Sequence, residues 1–539
     1  MIPLVKSYWF KILTIIIVSI LFALYLWGNN LHANWDIIDD HEIMSFLGTD
    51  GNVRLTEIQD LLLHTEVGRP GHSLRYRPSY YFIRIFEAFL WGNSPHLWHL
   101  CRLILFAISA GILWWIVDKY VGLVVGMLFV GYVVIFPFWS DIWVRLGPAE
   151  TYAVFGTAIY SLGYINILRS IKKEAIFNIY LFINWNMVLL GAVISMGSKE
   201  NFLILLIPSL FLFIFLWRRH LLNMFSLIYS LLIFSYGSFI TIAVGMALSK
   251  NKKDIYANSV EPLGRLEIAF HGIRKVFTNN YLLLTIFVLL LLIFLIFIYQ
   301  MRQKKMDATQ LFHKAVTSYV VASIIIFLLY ISQYVFYAGK WPINRRYDFP
   351  GVLSAPFFML VTVIFLLNIS MILKRSRLMT NVILISFSLI LIMLIAINGY
   401  SGLRRASQSN VLRTRAFTDR LSVLVKVLNN DPKSALLFES YYAPRDYEPI
   451  SSVSRYLRVY NIQNPFYLTN ITNRSGNTDS ELEDNLLKGL NNISVNGGNG
   501  DMSWDFRPIS ELNGTPNKCY SISFSAPPSS DCRHIGQIW

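Results

Sequence analysis

Charge is what this sequence has least of. Only 15% of its 539 residues are Asp, Glu, Lys or Arg, and 55% are hydrophobic. A soluble domain carries about 25% charged residues. The deficit falls in long apolar runs separated by short charged joints, which excludes a soluble globular chain. Cysteine is scarce too. Three residues exclude a dense disulfide scaffold. There is no P-loop, no dinucleotide fingerprint, no Cys/His set at metal-ligand spacing and no repeat at a fixed period. Acidic residues number 32 against 47 basic ones, a net charge of +15. The basic residues sit beside the apolar runs, so lipid head groups and topology account for most of them, and nucleic acid is not implied.

What the sequence does have is membrane-spanning length. A span takes roughly 20 apolar residues, because the hydrocarbon layer is about 30 Å thick. Spans are expected near 8–27, 97–117, 120–139, 151–168, 178–196, 201–217, 223–248, 281–300, 316–337, 351–373 and 380–398. The first lacks a small-residue cleavage site and reads as a retained span rather than a signal peptide. The fold class expected is therefore an all-α polytopic membrane protein of about eleven helices with a small α/β C-terminal domain. Residues 1–399, including an outer loop at 28–96, form the membrane part, and 400–539 the second domain.

The joints give the orientation. One set carries Lys6 and Lys11, Lys119, Arg169 with Lys172 and Lys173, Arg218 and Arg219, Arg302 with Lys304 and Lys305, and Lys374 with Arg375 and Arg377. Short basic joints belong on the cytoplasmic side. The N-terminus is expected in the cytoplasm of an inner (plasma) membrane protein and the C-terminal domain outside, in the periplasm. The 28–96 loop is long enough to be functional and has helical patterns at Leu55–His64 and Tyr80–Trp91, expected to lie on the outer membrane face. In the polar tail, a helix is expected over Leu403–Leu428, strands at Ser434–Phe438 and Pro465–Leu468, and a helix ending near Tyr460. Cys519 and Cys532 are placed to pair in an oxidising compartment, while Cys101 reads as inert packing. Asn-x-Ser/Thr triplets at Asn470, Asn473, Asn492 and Asn513 carry meaning only in a secretory pathway.

The strongest chemical cluster follows the first span. Asp36, Asp39, Asp40 and Glu42, with His41, fall within seven positions next to lipid. Crowding and partial burial raise a carboxyl pKa toward the range of a general base. Further candidates are Arg75 and Arg77, Arg145 and Glu150 at the opening of the fourth span, Lys199 and Glu200 in a tight turn, and Arg345, Arg346 and Tyr347 before a late span. Adjacent arginines on the outer side breach the inside-positive rule and ask for an anionic partner, either protein carboxylates or a lipid phosphate.

The layout resembles the GT-C class of integral membrane glycosyltransferases, which includes protein O-mannosyltransferases and aminoarabinose transferases. The resemblance rests on Asp39-Asp40 in the first outer loop, on Ser198-Lys199-Glu200-Asn201-Phe202 and on Arg346-Tyr347-Asp348-Phe349-Pro350. It spans roughly residues 1–400 in layout and short motifs in sequence, and Asp-Asp-His-Glu stands where several relatives have Asp-Glu. The resemblance implies a polyprenyl-phosphate-sugar donor held in membrane lipid and an envelope glycan, lipid or protein acceptor. Asp39 or Asp40 would act as catalytic base in an inverting displacement. Lys199, Arg345, Arg346, Arg75 or Arg77 would stabilise the departing phosphate, with Tyr347 beside them. Asp36, His41, Glu42, Glu150 and Glu200 are supporting acid, acceptor or metal candidates. The sequence requires no cofactor, and the acid cluster has the composition to take Mg²⁺ or Mn²⁺. An O-antigen or capsule polymerase is the nearest rival. A lipid or solute transporter predicts mid-span charges and matching halves, which are not seen. A membrane-anchored binding protein is the third alternative.

Overall fold

The computed structural model describes residues 8–71, 75–170, 179–249, 262–279, 307–337, 345–372, 377–440, 443–469 and short pieces of the remainder up to 537. The expected span at 281–300, residues 338–344, several basic joint residues and all four Asn-x-Ser/Thr asparagines lie outside them.

The membrane part is a helical bundle. Its long helices are α1 (Tyr8–Trp27), α5 (Pro95–Val121), α8 (Glu150–Ser170), α9 (Ile179–Ser198), α11 (Met224–Ser249), α13 (Asp307–Phe336), α14 (Ser354–Ile372) and α15 (Arg377–Asn398). Shorter ones are α6 (Leu123–Val134), α7 (Phe138–Trp143), α10 (Leu206–Arg218) and α12 (Pro262–Asn279). Among the described residues, eight helices are long and apolar enough to cross a membrane. They match eight expected spans, the one at 201–217 being α10 together with the 3-10 turn Glu200–Leu205 that precedes it. The expected 120–139 span is a short α6 followed by the separate α7, because Pro137 breaks the run. The 151–168 span is a helix but not one of those eight.

Lipid-facing character is visible on the surface. α1 exposes Leu13, Ile16, Ile17, Ile20, Leu21 and Leu24, and α15 exposes Val382, Ile385, Leu389, Ile392 and Met393. Apolar stripes this long belong against hydrocarbon, not water. Inside the bundle, α8 and α9 touch through glycine. A Cβ on Gly156 would lie 2.9 Å from the Gly191 carbonyl oxygen, so only glycine permits that approach.

The first outer loop folds into α2 (Asp40–Leu47), α3 (Ile58–His64) and α4 (Pro78–Trp91). α4 is two-faced. Phe82, Phe86, Phe89 and Leu90 are exposed, whereas Tyr80, Tyr81, Arg84 and Glu87 are buried. Glu87 receives a two-pronged pair from Arg102 of α5, at 3.1 and 3.0 Å, and Arg102 also donates to the Tyr152 hydroxyl. A paired guanidinium can be buried where a lone one cannot.

The C-terminal domain comprises α16 (Ser401–Asn430), β1 (Ala435–Glu439), α17 (Ala443–Val459), β2 (Phe466–Leu468), a two-stranded β3 (Ser494–Val495) and β4 (Met502–Ser503), then β5 (Phe506–Pro508), β6 (Cys519–Ser523) and β7 (Arg533–Gln537). The main sheet is parallel, in the order β5-β2-β1-β6-β7. Cys519 and Cys532 form a disulfide. α15 ends at Asn398 and α16 begins at Ser401, yet the hydrophobic core does not divide there. One cluster joins Ile37, Ile43 and Leu47 of the outer loop with Leu146 and Tyr152, and continues through Phe417, Leu421, Val453 and Tyr456 into the sheet residues Leu436 and Phe438.

Candidate active site

The chain leaves α1 at Trp27, makes a short 3-10 turn over Gly28–His32, and runs without helix until α2 begins at Asp40. Asp39 stands at the N-cap position, where an Asp side chain ordinarily accepts a hydrogen bond from the first turn. It makes no such bond. Its backbone sits instead at φ 72° and ψ −36°, a conformation that costs a non-glycine residue about 1–3 kcal/mol and concentrates at functional sites. The result is that its carboxylate turns away from the helix toward two guanidinium groups.

Arg145 meets Asp39 Oδ2 at 2.8 Å and Arg346 meets the same oxygen at 3.2 Å. These groups come from the loop before α8 and from the 3-10 turn Arg346–Asp348 before α14. Burial alone would raise the Asp39 carboxyl, but Arg145 and Arg346 outweigh it and hold it at about 2. The contact needs glycine at position 147, since a Cβ there would fall inside the Asp39 side chain.

Two residues of α4, one helical turn apart, staple the loops together. Arg84, fully buried, donates to the Leu146 carbonyl oxygen and, at 3.3 Å, to the Asp39 carbonyl oxygen. The Tyr80 hydroxyl lies 2.8 Å from Glu42 Oε2 and 3.1 Å from the Gly147 carbonyl oxygen. Sequence reasoning missed Arg84. Its signal was an arginine set among aromatic residues on the inward face of an amphipathic helix.

Lys199 pairs with Glu150, and its ammonium lies 4.9 Å from the Tyr347 ring centre. The Arg346 guanidinium lies 5.3 Å from the centre of the same ring. Gln333 of α13 donates to the Tyr347 carbonyl oxygen at 2.5 Å and so fixes the turn. Lys199, Arg346, Tyr347 and Glu150 are therefore brought together beside Asp39. Arg75 acts electrostatically on Glu448, as do Asp39, Arg145 and Arg346.

Other candidates stand elsewhere. Arg77 pairs with Glu66 at 3.3 Å and packs over Tyr80 and Tyr81. Arg345 is exposed. Glu200 accepts from the Tyr76 backbone N–H at 3.2 Å. Asp36 pairs with Arg413 of α16 at 2.6 Å. Asp40 is 1% exposed; one of its oxygens accepts from the Asp36 backbone N–H at 2.8 Å and the other has no hydrogen-bond partner. Burial, then the charge of Asp36, pushes the Asp40 carboxyl up to about 8. His41 is held neutral, at about 3, by burial and then by Arg455. The four carboxylates of the acid cluster thus face four different partners. Among the described residues no group of three or more His, Cys, Asp or Glu is placed to hold a metal.

No family model matches this chain, and no curated protein does either. Among solved structures, the chain is similar to ArnT from Cupriavidus metallidurans bound to undecaprenyl phosphate, at 9% identity and a TM-score of 0.43 over 92% of this chain and 90% of that one. It is also similar to ArnT from the same organism in the apo state, at 10% identity and a TM-score of 0.42 over 85% and 84% of the two chains. Likeness at this level leaves the function to the residues of the site.

Proposed function

We propose that this protein is a membrane glycosyltransferase. It moves a sugar from a polyprenyl-phosphate donor to a hydroxyl of a cell-envelope glycan, lipid or protein on the extracytoplasmic face. The observation that carries the reading is the contact of Asp39 with Arg145 and Arg346, three charged groups from distant segments meeting beside helices built for lipid. Paired arginines with a lysine nearby suit a phosphate, whose oxygens they grip bidentately. A donor with a long lipid tail can lie along the bundle and bring its phosphate to them.

The chemistry follows from the charges. The acceptor oxygen attacks the anomeric carbon as the bond from that carbon to the phosphate oxygen breaks. The electron pair leaves with the lipid phosphate, and Arg145, Arg346 and Lys199 stabilise the charge that grows there. Asp39 takes the hydroxyl proton. At about 2 it is a weak base while both arginines face it. A bound phosphate draws the guanidinium groups off, burial then dominates, and the carboxyl rises toward the range of a useful base. One displacement with one base inverts the anomeric centre; a retaining route wants a second carboxylate about 5 Å across the sugar. The disulfide between Cys519 and Cys532 supports an oxidising compartment for the C-terminal domain.

The test is mass spectrometry of envelope glycans from cells with and without the gene, then with Asp39→Asn and Arg346→Ala. The reading expects one sugar mass to vanish on deletion and to stay absent in both variants. Unchanged glycans on deletion, together with lipid or ion translocation by the protein in vesicles, would overturn it.

A further inference from the structure

The C-terminal domain does more than cover the acid loop. α17 docks on that loop along one face. Ser452 donates to the Ile37 carbonyl oxygen, and the Tyr456 hydroxyl donates to the Asp36 carbonyl oxygen at 2.7 Å. Residues four apart share a helix face. One turn before Ser452 on this same face stands Glu448. Tyr456 meets residue 36 and Ser452 meets residue 37, so the next position on this face, Glu448, falls on the side of the loop that leads to Asp39. The charges that act on Glu448 agree with this path, since they are those of Asp39, Arg145, Arg346 and Arg75. Glu448 is half-buried rather than sealed.

Two further features mark the position. Pro449 lies inside α17, where its ring removes a helix hydrogen bond and disfavours the helical conformation of the residue before it, Glu448 itself. A local rule broken where a carboxylate meets a charged site is a sign of function. The start of the helix is also pinned, with Ser440 donating to Asp446 at 2.8 Å. No ion pair absorbs Glu448 among those the described residues make, whereas Asp36 and Glu150 each have one.

We propose that Glu448 is the acceptor-binding carboxylate of the site, contributed by the C-terminal domain, and that it hydrogen-bonds a hydroxyl of a neutral, hydroxyl-rich acceptor next to the oxygen that Asp39 deprotonates. The proposal rests on the glycosyl-transfer reading. The arginines face the donor phosphate; Glu448 faces the group that receives the sugar. Burial, and then the negative charge of Asp39, raise its pKa, which suits a group that trades hydrogen bonds with hydroxyls. With Arg145 and Arg346 taken up by the donor phosphate, the two acids left facing the acceptor favour a neutral hydroxyl there over a second anion.

Two measurements on Glu448→Gln, Glu448→Asp and Arg346→Ala test it. One is the glycan product in cells complemented with each variant. The other is the affinity of each purified full-length protein, in nanodiscs, for undecaprenyl phosphate, with the melting temperature read on the same samples. Glu448→Gln should cut the product at least tenfold while its undecaprenyl-phosphate affinity and melting temperature stay at the wild-type values. Glu448→Asp should restore part of the product, and Arg346→Ala should lose both readouts. Wild-type product from Glu448→Gln would overturn the assignment. So would a loss of undecaprenyl-phosphate affinity equal to that of Arg346→Ala, or a fall in melting temperature that Glu448→Asp shares in full. Absence of any product from the wild-type gene would instead sink the glycosyl-transfer reading beneath it.

Discussion

Arg346 reaches Asp39 across 307 residues of sequence, its Nη1 donating to Oδ2 at 3.2 Å. The pair ties the acid loop to the turn before α14, and Arg145 closes the triangle at 2.8 Å. An acid that holds two arginines in place has already ordered the groups that a phosphate needs. Most of the entropy of aligning them is lost in folding rather than in binding.

Arg346→Ala is expected to weaken binding of undecaprenyl phosphate by ~10- to 100-fold, the range for loss of a charge-assisted hydrogen bond. Arg346→Lys should recover only part, because an ammonium cannot grip two oxygens in one plane. Titration of the lipid phosphate into the protein in nanodiscs gives the answer. Equal affinity in Arg346→Ala would remove this arginine from the phosphate site.

Gly147→Ala should fail in a particular way. The added methyl would occupy the space of the Asp39 side chain. Overpacking of this kind costs about 1–3 kcal/mol, and here the strain falls on the Asp39 contact itself. Activity should drop by an order of magnitude or more with membrane insertion intact. A fully active Gly147→Ala would mean that Asp39 has room to move.

Asp39 and Asp40 should separate by pH. Asp39 is held at about 2, below its ordinary value of 3.8. Its contribution to stability is therefore complete above about pH 4 and is lost as pH falls through 2, roughly 2 kcal/mol in all. Asp40 is pushed up to about 8. Between pH 4 and 8 the folded protein holds a proton there that the unfolded chain has lost, so stability falls as pH rises across that window. Asp40→Asn should flatten this slope and gain on the wild type above pH 8, while Asp39→Asn should be less sensitive to acid. Thermal melts of both variants from pH 2 to 9 measure the two effects, Asp39 below pH 4 and Asp40 above it. The same slope in wild type and Asp40→Asn would show that Asp40 is ionised in the fold.

Much of this was legible in the sequence, and the reasons differ by element. The spans were plain because lipid demands unbroken apolar length. Helix α16 and strands β1 and β2 emerge within a few residues of the expected Leu403–Leu428, Ser434–Phe438 and Pro465–Leu468. Asp39, Lys199, Arg346 and Tyr347 could be singled out because charges beside a membrane are costly enough to need a reason. The roles within the Asp39-Asp40 pair could not be read. They are set by one backbone angle, the positive φ of Asp39, which turns neighbours to opposite environments. Arg84 was hidden for a related cause. It acts through tertiary contacts, and the carbonyl groups of Asp39 and Leu146 that it meets lie tens of positions away.

Deleting residues 400–539 should abolish activity and also destabilise the membrane part. A tail that only recruits a partner could be removed without harm to the rest. Here the outer loop shares its hydrophobic core with α16, α17 and the sheet. Removal would bare Ile37, Ile43 and Leu47, and would take from Asp36 its Arg413 partner. An unpaired buried charge is among the more damaging changes a fold can suffer. Arg413→Ala isolates the electrostatic part of this loss. Arg413 is half exposed, at 49% of its side chain, so solvent screening limits the effect to about 1 kcal/mol. The truncated protein should therefore melt well below Arg413→Ala, and Arg413→Ala below the wild type. A truncated protein that keeps the wild-type melting temperature would show that the outer loop is stable by itself and that the shared core contributes little.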